Sequence, residues 1–436
     1  MSSMGAPRHH MTGTGGTRLH GVVESEAGTA AHHSKVNIAT HPARSMAPMA
    51  SATSPGPRGS GPVGPGEPIS PGRSVYTGQI IDGQMHGEGR MQYPNGEVYE
   101  GTWDNGRRNG LGKYWFQDGG FYDGEWSDEQ PHGTGTLFYQ NGNTYSGDWK
   151  YGIIHGKGKI AFADGDTYVG DWVDGRMQGD GEYLYADGDK YVGQWHNDKR
   201  HGTGTVTYAA DPNSQNPNEE IYEGEWVDGK MKGRGTYYFA DGGVYEGTWD
   251  DGKMDGEGTF TYMNKNVHQG QWSRDLRHGQ GTLKYSNGDV YVGMWQDDKQ
   301  NGRGTLTYAS GDVYAGEWKN GLKDGEGELK FVGGDVYRGD WKEDRAHGQG
   351  TLTMRDGSMY EGGWMNDAKH GNGYYRHCEG SEYEGEWALG VMAGVGVLTL
   401  TEGTKIEGTW GEDGAISTVQ RVALTPQSPW NDPESL

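Results

Sequence analysis

The pattern Tyr-x-Gly-x-Trp recurs at a constant spacing of 23 residues, and a period that regular leaves few folds open. It starts at Tyr99, Tyr122, Tyr145, Tyr168 and Tyr191, resumes at Tyr222 and Tyr245, and runs again from Tyr291 through Tyr314, Tyr337, Tyr360 and Tyr383. Tyr76 opens a copy with Ile80 in the Trp place. His268 opens one that keeps Gly270 and Trp272, and Ile406 a partial one with Gly408 and Trp410. The phase breaks once, at an insertion over 209–221. Each of the 14 full copies also carries Gly-x-Gly eleven residues after its start, from Gly87/Gly89 to Gly394/Gly396. One small element is therefore stacked many times, each copy burying its apolar side on its neighbours.

Within a copy the apolar residues alternate, which is the period of a β-strand. Tyr99, Gly101 and Trp103 share one face while Glu100 and Thr102 take the other. A second strand follows, with Gly110, Gly112, Tyr114 and Phe116 on a common face. The glycines on the aromatic face leave room for rings to lie across bare backbone, with a strand bulge as the other reading. Asp-Gly and Asn-Gly pairs punctuate the strands, within a copy at Asn105-Gly106, Asp174-Gly175 and Asn320-Gly321 and between copies at Asn95-Gly96 and Asp356-Gly357. Such pairs supply the positive φ of tight hairpin turns. The expected fold is all-β: an elongated, single-layer antiparallel β-meander solenoid of hairpins. At two strands per copy and about 4.8 Å per strand, 14 copies would extend on the order of 130 Å.

Composition agrees. Gly makes up 81 of 436 residues, and the apolar content is carried by 27 Tyr and 16 Trp rather than by aliphatic side chains, so many small aromatic contacts are expected in place of one large core. Fourteen of the 16 Trp fall on the repeat position. Residues 1–74 hold nine of the 16 prolines and no hydrophobic period, and read as a disordered Pro/Gly/Ser-rich tail. The array fills 75–410, and 411–436 reads as a final strand near 415–423 followed by a flexible tail. The formal charge is −23, all of it carried by 75–410 because the two tails cancel at +3 and −3. An array this acidic repels phosphate backbones and anionic lipid, so nucleic acid is not an expected partner and lipid is disfavoured. Cys378 is the single cysteine, which fits a reducing compartment, and no signal peptide or membrane span is expected.

Tyr-x-Gly-x-Trp, a turn and Gly-x-Gly over 76–410 resemble the MORN repeat. The resemblance implies a twisted sheet with an aromatic-lined groove able to hold a partner peptide or helix. It also implies a choice of roles: radial spoke head proteins, junctophilins, cytoskeletal scaffolds, and repeats fused to lipid kinases or a lysine methyltransferase. The chain is nearly all repeat, so it is most similar to the ciliary and cytoskeletal members. The expectation is a non-enzymatic structural scaffold and protein–protein interaction module in the cytoplasm and cytoskeleton, in a cilium or flagellum axoneme, resembling a radial spoke head component. A peripheral membrane adaptor that binds anionic lipid and protein partners is the alternative. Expected partners are other proteins of a large assembly, with a homodimer through an unpaired sheet end as a further possibility.

The candidate partner-binding surface is the aromatic face: Tyr99, Trp103, Tyr122, Trp126, Tyr145, Trp149, Tyr168, Trp172, Tyr191, Trp195, Tyr222, Trp226, Tyr245, Trp249, Tyr291, Trp295, Tyr314, Trp318, Tyr337, Trp341, Tyr360, Trp364, Tyr383 and Trp387. Two readings stay open, an exposed stripe that marks an interaction site and rings that only pack on one another and on glycine. No catalytic, cofactor or metal site is expected. The Gly-x-Gly pairs lack the helix that a phosphate loop needs. The histidines before them (His86, His132, His155, His201, His278, His347 and His370) would stand about 10 Å apart from copy to copy, too far to share an ion. Charged turns such as Asp198-Lys199-Arg200 and Asp251-Gly252-Lys253 read as a docking edge or as solvated loops with weak ion pairs.

Overall fold

The computed structural model describes residues 74–210 and 218–424. The tail expected over 1–74, most of the 209–221 insertion and the flexible end of 411–436 lie outside the described residues, apart from the positions just named. The thirty described elements are all strands. They divide into an N-terminal body, which ends at Gly256, and a C-terminal body from Glu257 onward.

In the N-terminal body each strand pairs antiparallel with the next in the chain, from Val75–Ile81 to Val244–Asp250, as an open meander. The hairpin Val98–Asp104/Arg107–Trp115 shows the local logic. Tyr99 faces Tyr114, Gly101 faces Gly112 and Trp103 faces Arg108. Between the last two pairs one residue opposes three, so the second strand bulges there. Gly110 sits in the bulge at φ +86°, a left-handed conformation that glycine reaches without strain. On its other side the same strand is regular, with Gly110 opposite Trp126 and Gly112 opposite Gly124. The two glycines of Gly-x-Gly thus have different duties: the first makes the bulge and the second makes the floor.

The turns also divide in two. Within a repeat the turn has two residues, both at positive φ, as at Asn105 (47°) and Gly106 (80°). This geometry matches the twist of the flanking strands. Between repeats the loop is longer: Tyr93 N–H bonds Glu97 O at 2.9 Å, Gly96 N–H bonds Tyr93 O at 3.0 Å, and Gly96 alone takes positive φ among its neighbours. The sequence expectation of one turn chemistry for both sites is corrected here, because the longer loop closes with a single positive-φ glycine in place of two such residues.

The C-terminal body repeats the plan from Val267–Ser273 to Lys405–Trp410, and Ile416–Ala423 pairs antiparallel with that last strand through two register shifts. Its core is a continuous row of rings and leucines from Leu283 to Trp410.

Candidate functional site

The aromatic face is built one repeat on the next. Tyr99 lies edge-on to its own Trp103, with ring centroids at 5.1 Å and planes at 90°, and edge-on to Trp126 of the following repeat at 5.2 Å and 79°. The same double contact recurs at Tyr191 with Trp195 and Trp226, and at Tyr337 with Trp341 and Trp364. Edge-to-face pairs are the favourable arrangement, each worth about 0.5–1.5 kcal/mol beyond the buried area. The polar tips are also used. Tyr99 OH donates to Thr102 O at 2.9 Å, and Trp126 Nε1–H donates to Gly112 O at 3.0 Å. A Cβ on Gly112 would lie 2.5 Å from Tyr99 Cε2, so the ring rests directly on backbone. Burial raises the Tyr99 phenol well above its ordinary pKa, which keeps it neutral.

Of the 24 aromatic residues singled out from sequence, the tyrosines are 0–1% exposed and the tryptophans 1–6%. Within the chain these rings pack on one another and on glycine. In several repeats the part of this face nearer to solvent is presented by a residue at the end of the second strand that sequence reasoning had not singled out as a surface. Tyr93, Phe116, Tyr139, Tyr285, Tyr308 and Phe331 are half-buried there. Tyr93 packs on Tyr114 at 5.9 Å and Phe116 on the same ring at 5.1 Å.

A second unforeseen feature is a series of cations at the start of the second strand, buried at Arg108, Arg200 and Lys323 and half-buried at Arg277 and Lys369. Arg108 Cζ lies 4.5 Å from the Trp126 ring, Arg200 Cζ 4.4 Å from Trp226 and Arg277 Cζ 4.3 Å from Trp295. Lys323 Nζ lies 5.0 Å from Trp341 and Lys369 Nζ 4.9 Å from Trp387. These are cation–π contacts at sites removed from water.

The turn acids explain how such charges are tolerated. The second residue of each two-residue turn donates its N–H to the carbonyl of the cation position one repeat earlier, as Gly106 does to Met85 O at 2.9 Å and Glu129 to Arg108 O at 3.1 Å. Where that turn residue is acidic, its carboxylate also reaches back. Glu129 takes Arg108 N–H at 2.7 Å and Nε–H at 2.9 Å. Asp298 takes both from Arg277, at 2.9 and 3.0 Å, and Asp344 takes Lys323 N–H at 2.8 Å. Asp198 and Asp367 hold the N–H of Met177 and Ala346 in the same way. Asp198 is therefore a buried staple, not part of a solvated loop, whereas Lys230 and Asp251 form an exposed ion pair. The opposite edge has its own staples, such as Asp166 taking Ala186 N–H at 2.9 Å and Tyr183 OH at 2.7 Å. The legible signal was an acid at a positive-φ position where glycine would be easier: Glu129, Asp298, Asp344 and Asp367 stand at φ of 67–71°.

The reverse face is polar. In the C-terminal body it forms an open groove of about 760 Å³, floored by Gly293, Gly304, Gly316, Gly327 and Gly339 and flanked by Val292, Arg303, Glu328 and Arg338. Of the edge histidines, His132 Nδ1 accepts from Tyr151 N–H at 3.5 Å and His86 Nδ1 lies 3.5 Å from Asp104, whereas His201 and His370 bury an Nδ1 without a hydrogen-bond partner. Among the described residues no three His, Cys, Asp or Glu side chains converge as metal ligands, and no helix is long and apolar enough to cross a membrane.

Comparison with known structures finds similarity to the TCP10 domain of Danio rerio CPAP, at 13% identity over 47% of this chain and 96% of that one, with a TM-score of 0.27. The same domain in complex with a peptide of Danio rerio STIL matches at 14% identity over 62% and 94%, TM-score 0.24. The SAS-4 TCP domain of Drosophila melanogaster, in complex with a proline-rich motif of Ana2, matches at 14% over 43% and 90%, TM-score 0.22. No curated protein sequence matches the chain. The MORN repeat model matches fourteen times, over 76–98, 99–121, 122–144, 145–167, 168–190, 191–210, 222–244, 245–267, 268–290, 291–313, 314–336, 337–359, 360–382 and 383–405. With its Tyr-on-glycine floors and Trp-to-carbonyl ties repeated through the matched segments, the chain belongs to the MORN-repeat family.

Proposed function

We propose that this repeat scaffold serves a cytoskeletal assembly, as a structural and protein-docking component of a ciliary or flagellar axoneme similar to a radial spoke head. The observation that carries the scaffold reading is what the reactive-looking groups do. The turn carboxylates hold backbone amides of the preceding repeat, as Glu129 and Asp344 do, and the phenols hold carbonyls, as Tyr99 and Tyr337 do. Side chains committed to repeat-to-repeat ties build a surface of fixed spacing, which suits docking of protein partners. The aromatic face, with half-buried outer rings such as Tyr93, Phe116, Tyr285 and Tyr308, is the docking face in this reading. The cytoskeletal setting rests on the family resemblance.

A tagged full-length chain expressed in ciliated cells is expected to stay with the detergent-extracted axoneme. Quantitative release by detergent refutes the cytoskeletal assignment. Flotation with anionic liposomes at physiological salt separates the membrane-adaptor alternative, since the −23 charge opposes that binding.

A further inference from the structure

Of the five cations at this position, Arg108, Arg277 and Lys323 meet a turn acid one repeat on, and Arg200 and Lys369 do not. At Met85/Gly106, Ile154/Gly175 and Gln300/Gly321 a glycine turn residue meets an uncharged side chain. At Arg108/Glu129, Arg277/Asp298 and Lys323/Asp344 the cation meets an acidic turn residue. Arg200 stands beside the insertion and donates instead to Gly229 O at 3.3 Å. Lys369 is the other cation without a turn acid. The turn residue that bonds its carbonyl, at 3.0 Å, is Gly390, which has no carboxylate to give.

Lys369 nonetheless lies in the same place as the others. Its Nζ is 5.0 Å from the Tyr360 ring, 4.8 Å from Tyr375 and 4.9 Å from Trp387. It makes no ion pair among the described residues, and desolvation pushes its pKa down to about 8, the direction of a cation without a counter-charge. The residue before Gly390 is Leu389, an aliphatic side chain 81% exposed on a two-residue turn at φ +50°.

We infer that Lys369 and Leu389 form a docking site for a partner peptide carrying a carboxylate side chain beside an aliphatic one. The ligand carboxylate takes the place that Glu129 and Asp298 fill for their arginines, bonding the Lys369 amine and its backbone N–H, while the aliphatic neighbour covers Leu389. Charge complementarity and the empty staple position select an acidic group. The inference rests on the interaction-module reading, but its test uses the isolated protein and stands or falls apart from any cellular location.

The probe is N-acetyl-Leu-Glu-Leu-amide, with its Gln counterpart as control, and the readout is acetylation of Lys369 in the full chain, followed by mass spectrometry. For a Kd of about 1 mM, 10 mM Glu peptide is expected to slow labelling of Lys369 about tenfold, with little effect of the Gln peptide. Gly390→Asp supplies the internal staple, at a place where Asp298, Asp344 and Asp367 show that aspartate is accommodated. That variant is expected to be protected without peptide and to gain nothing from it. Lys369→Met, which copies Met177 and Met231 at the same register, keeps the fold, and its calorimetric titration is expected to show at least about tenfold weaker peptide binding. Equal labelling of Lys369 with Glu and Gln peptides overturns the site, as does undiminished peptide binding by Lys369→Met.

Discussion

Replacing His268 with tyrosine should stabilise the C-terminal body. In thirteen repeats the first aromatic is a tyrosine whose OH donates to the carbonyl three residues on, at 2.8–3.1 Å. His268 fills that place with both ring nitrogens buried and without a partner, edge-on between Trp272 at 5.2 Å and Trp295 at 5.1 Å. The substitution removes the unpaired nitrogens and adds a hydrogen bond to Gln271 O, together about 1–3 kcal/mol at neutral pH. Acid widens the gap. Burial, aided by Arg277, pushes the His268 pKa down to about 3 from 6.5. The folded-state pKa is depressed, so the unfolded chain binds the proton more readily and stability falls as pH drops from 6.5 toward 3. At pH 5 the penalty is about 2 kcal/mol. Hydrogen exchange of the amides of 267–284, corrected for intrinsic rates, reads local opening at pH 8 and at pH 5. The variant is expected to open less often at both values and to lose most of the acid dependence. Exchange unchanged by His268→Tyr, or an acid dependence equal to the native one, would refute the claim that an unpaired neutral imidazole weakens this repeat.

Gly112→Ala should destabilise by about 3 kcal/mol because its methyl meets the Tyr99 ring, whereas Gly106→Ala, with open space but φ +80°, should lose only about 1–2 kcal/mol in urea unfolding. Trp226→Ala removes a side chain 1% exposed, together with its bond to Gly204 O and its contact with Arg200, and is expected to lose about 3–5 kcal/mol of stability. Asp298→Ala strands the half-enclosed Arg277 and should reduce stability by about 3 kcal/mol, while Asp251→Ala at the exposed Lys230 pair should change it by under about 1 kcal/mol; equal effects would remove the staple account. Burial raises the phenols of Tyr93, Tyr208, Tyr360 and Tyr383 to about 12, so their contribution is complete below pH 10 and is lost as pH rises toward 12. Apart from the exposed Tyr151 and Tyr238, tyrosinate absorbance should therefore appear together with loss of the β-sheet circular dichroism signal, and ionisation of most tyrosines with the sheet intact would contradict it.

Much of the molecule was legible before any coordinates. A two-residue alternation and a positive-φ pair every repeat are local properties of the backbone, so strand identity, hairpin turns and the family could be read from Tyr-x-Gly-x-Trp and Gly-x-Gly alone. The division of labour between Gly110 and Gly112 could not, because a bulge is a mismatch between two strands and neither strand encodes it by itself. Alternation puts the aromatic rings on one face, yet packing leaves them buried and residues such as Tyr93 and Phe116 half-buried beside them. The cation–carboxylate staples needed the third dimension most. Arg108 and Glu129 stand 21 residues apart and meet only when one hairpin is laid against the next. Sequence thus determined what each repeat is, through short-range sterics and alternation. Only the tertiary structure decided which polar groups are removed from water by the neighbouring repeat, since desolvation depends on what covers a side chain and not on what flanks it.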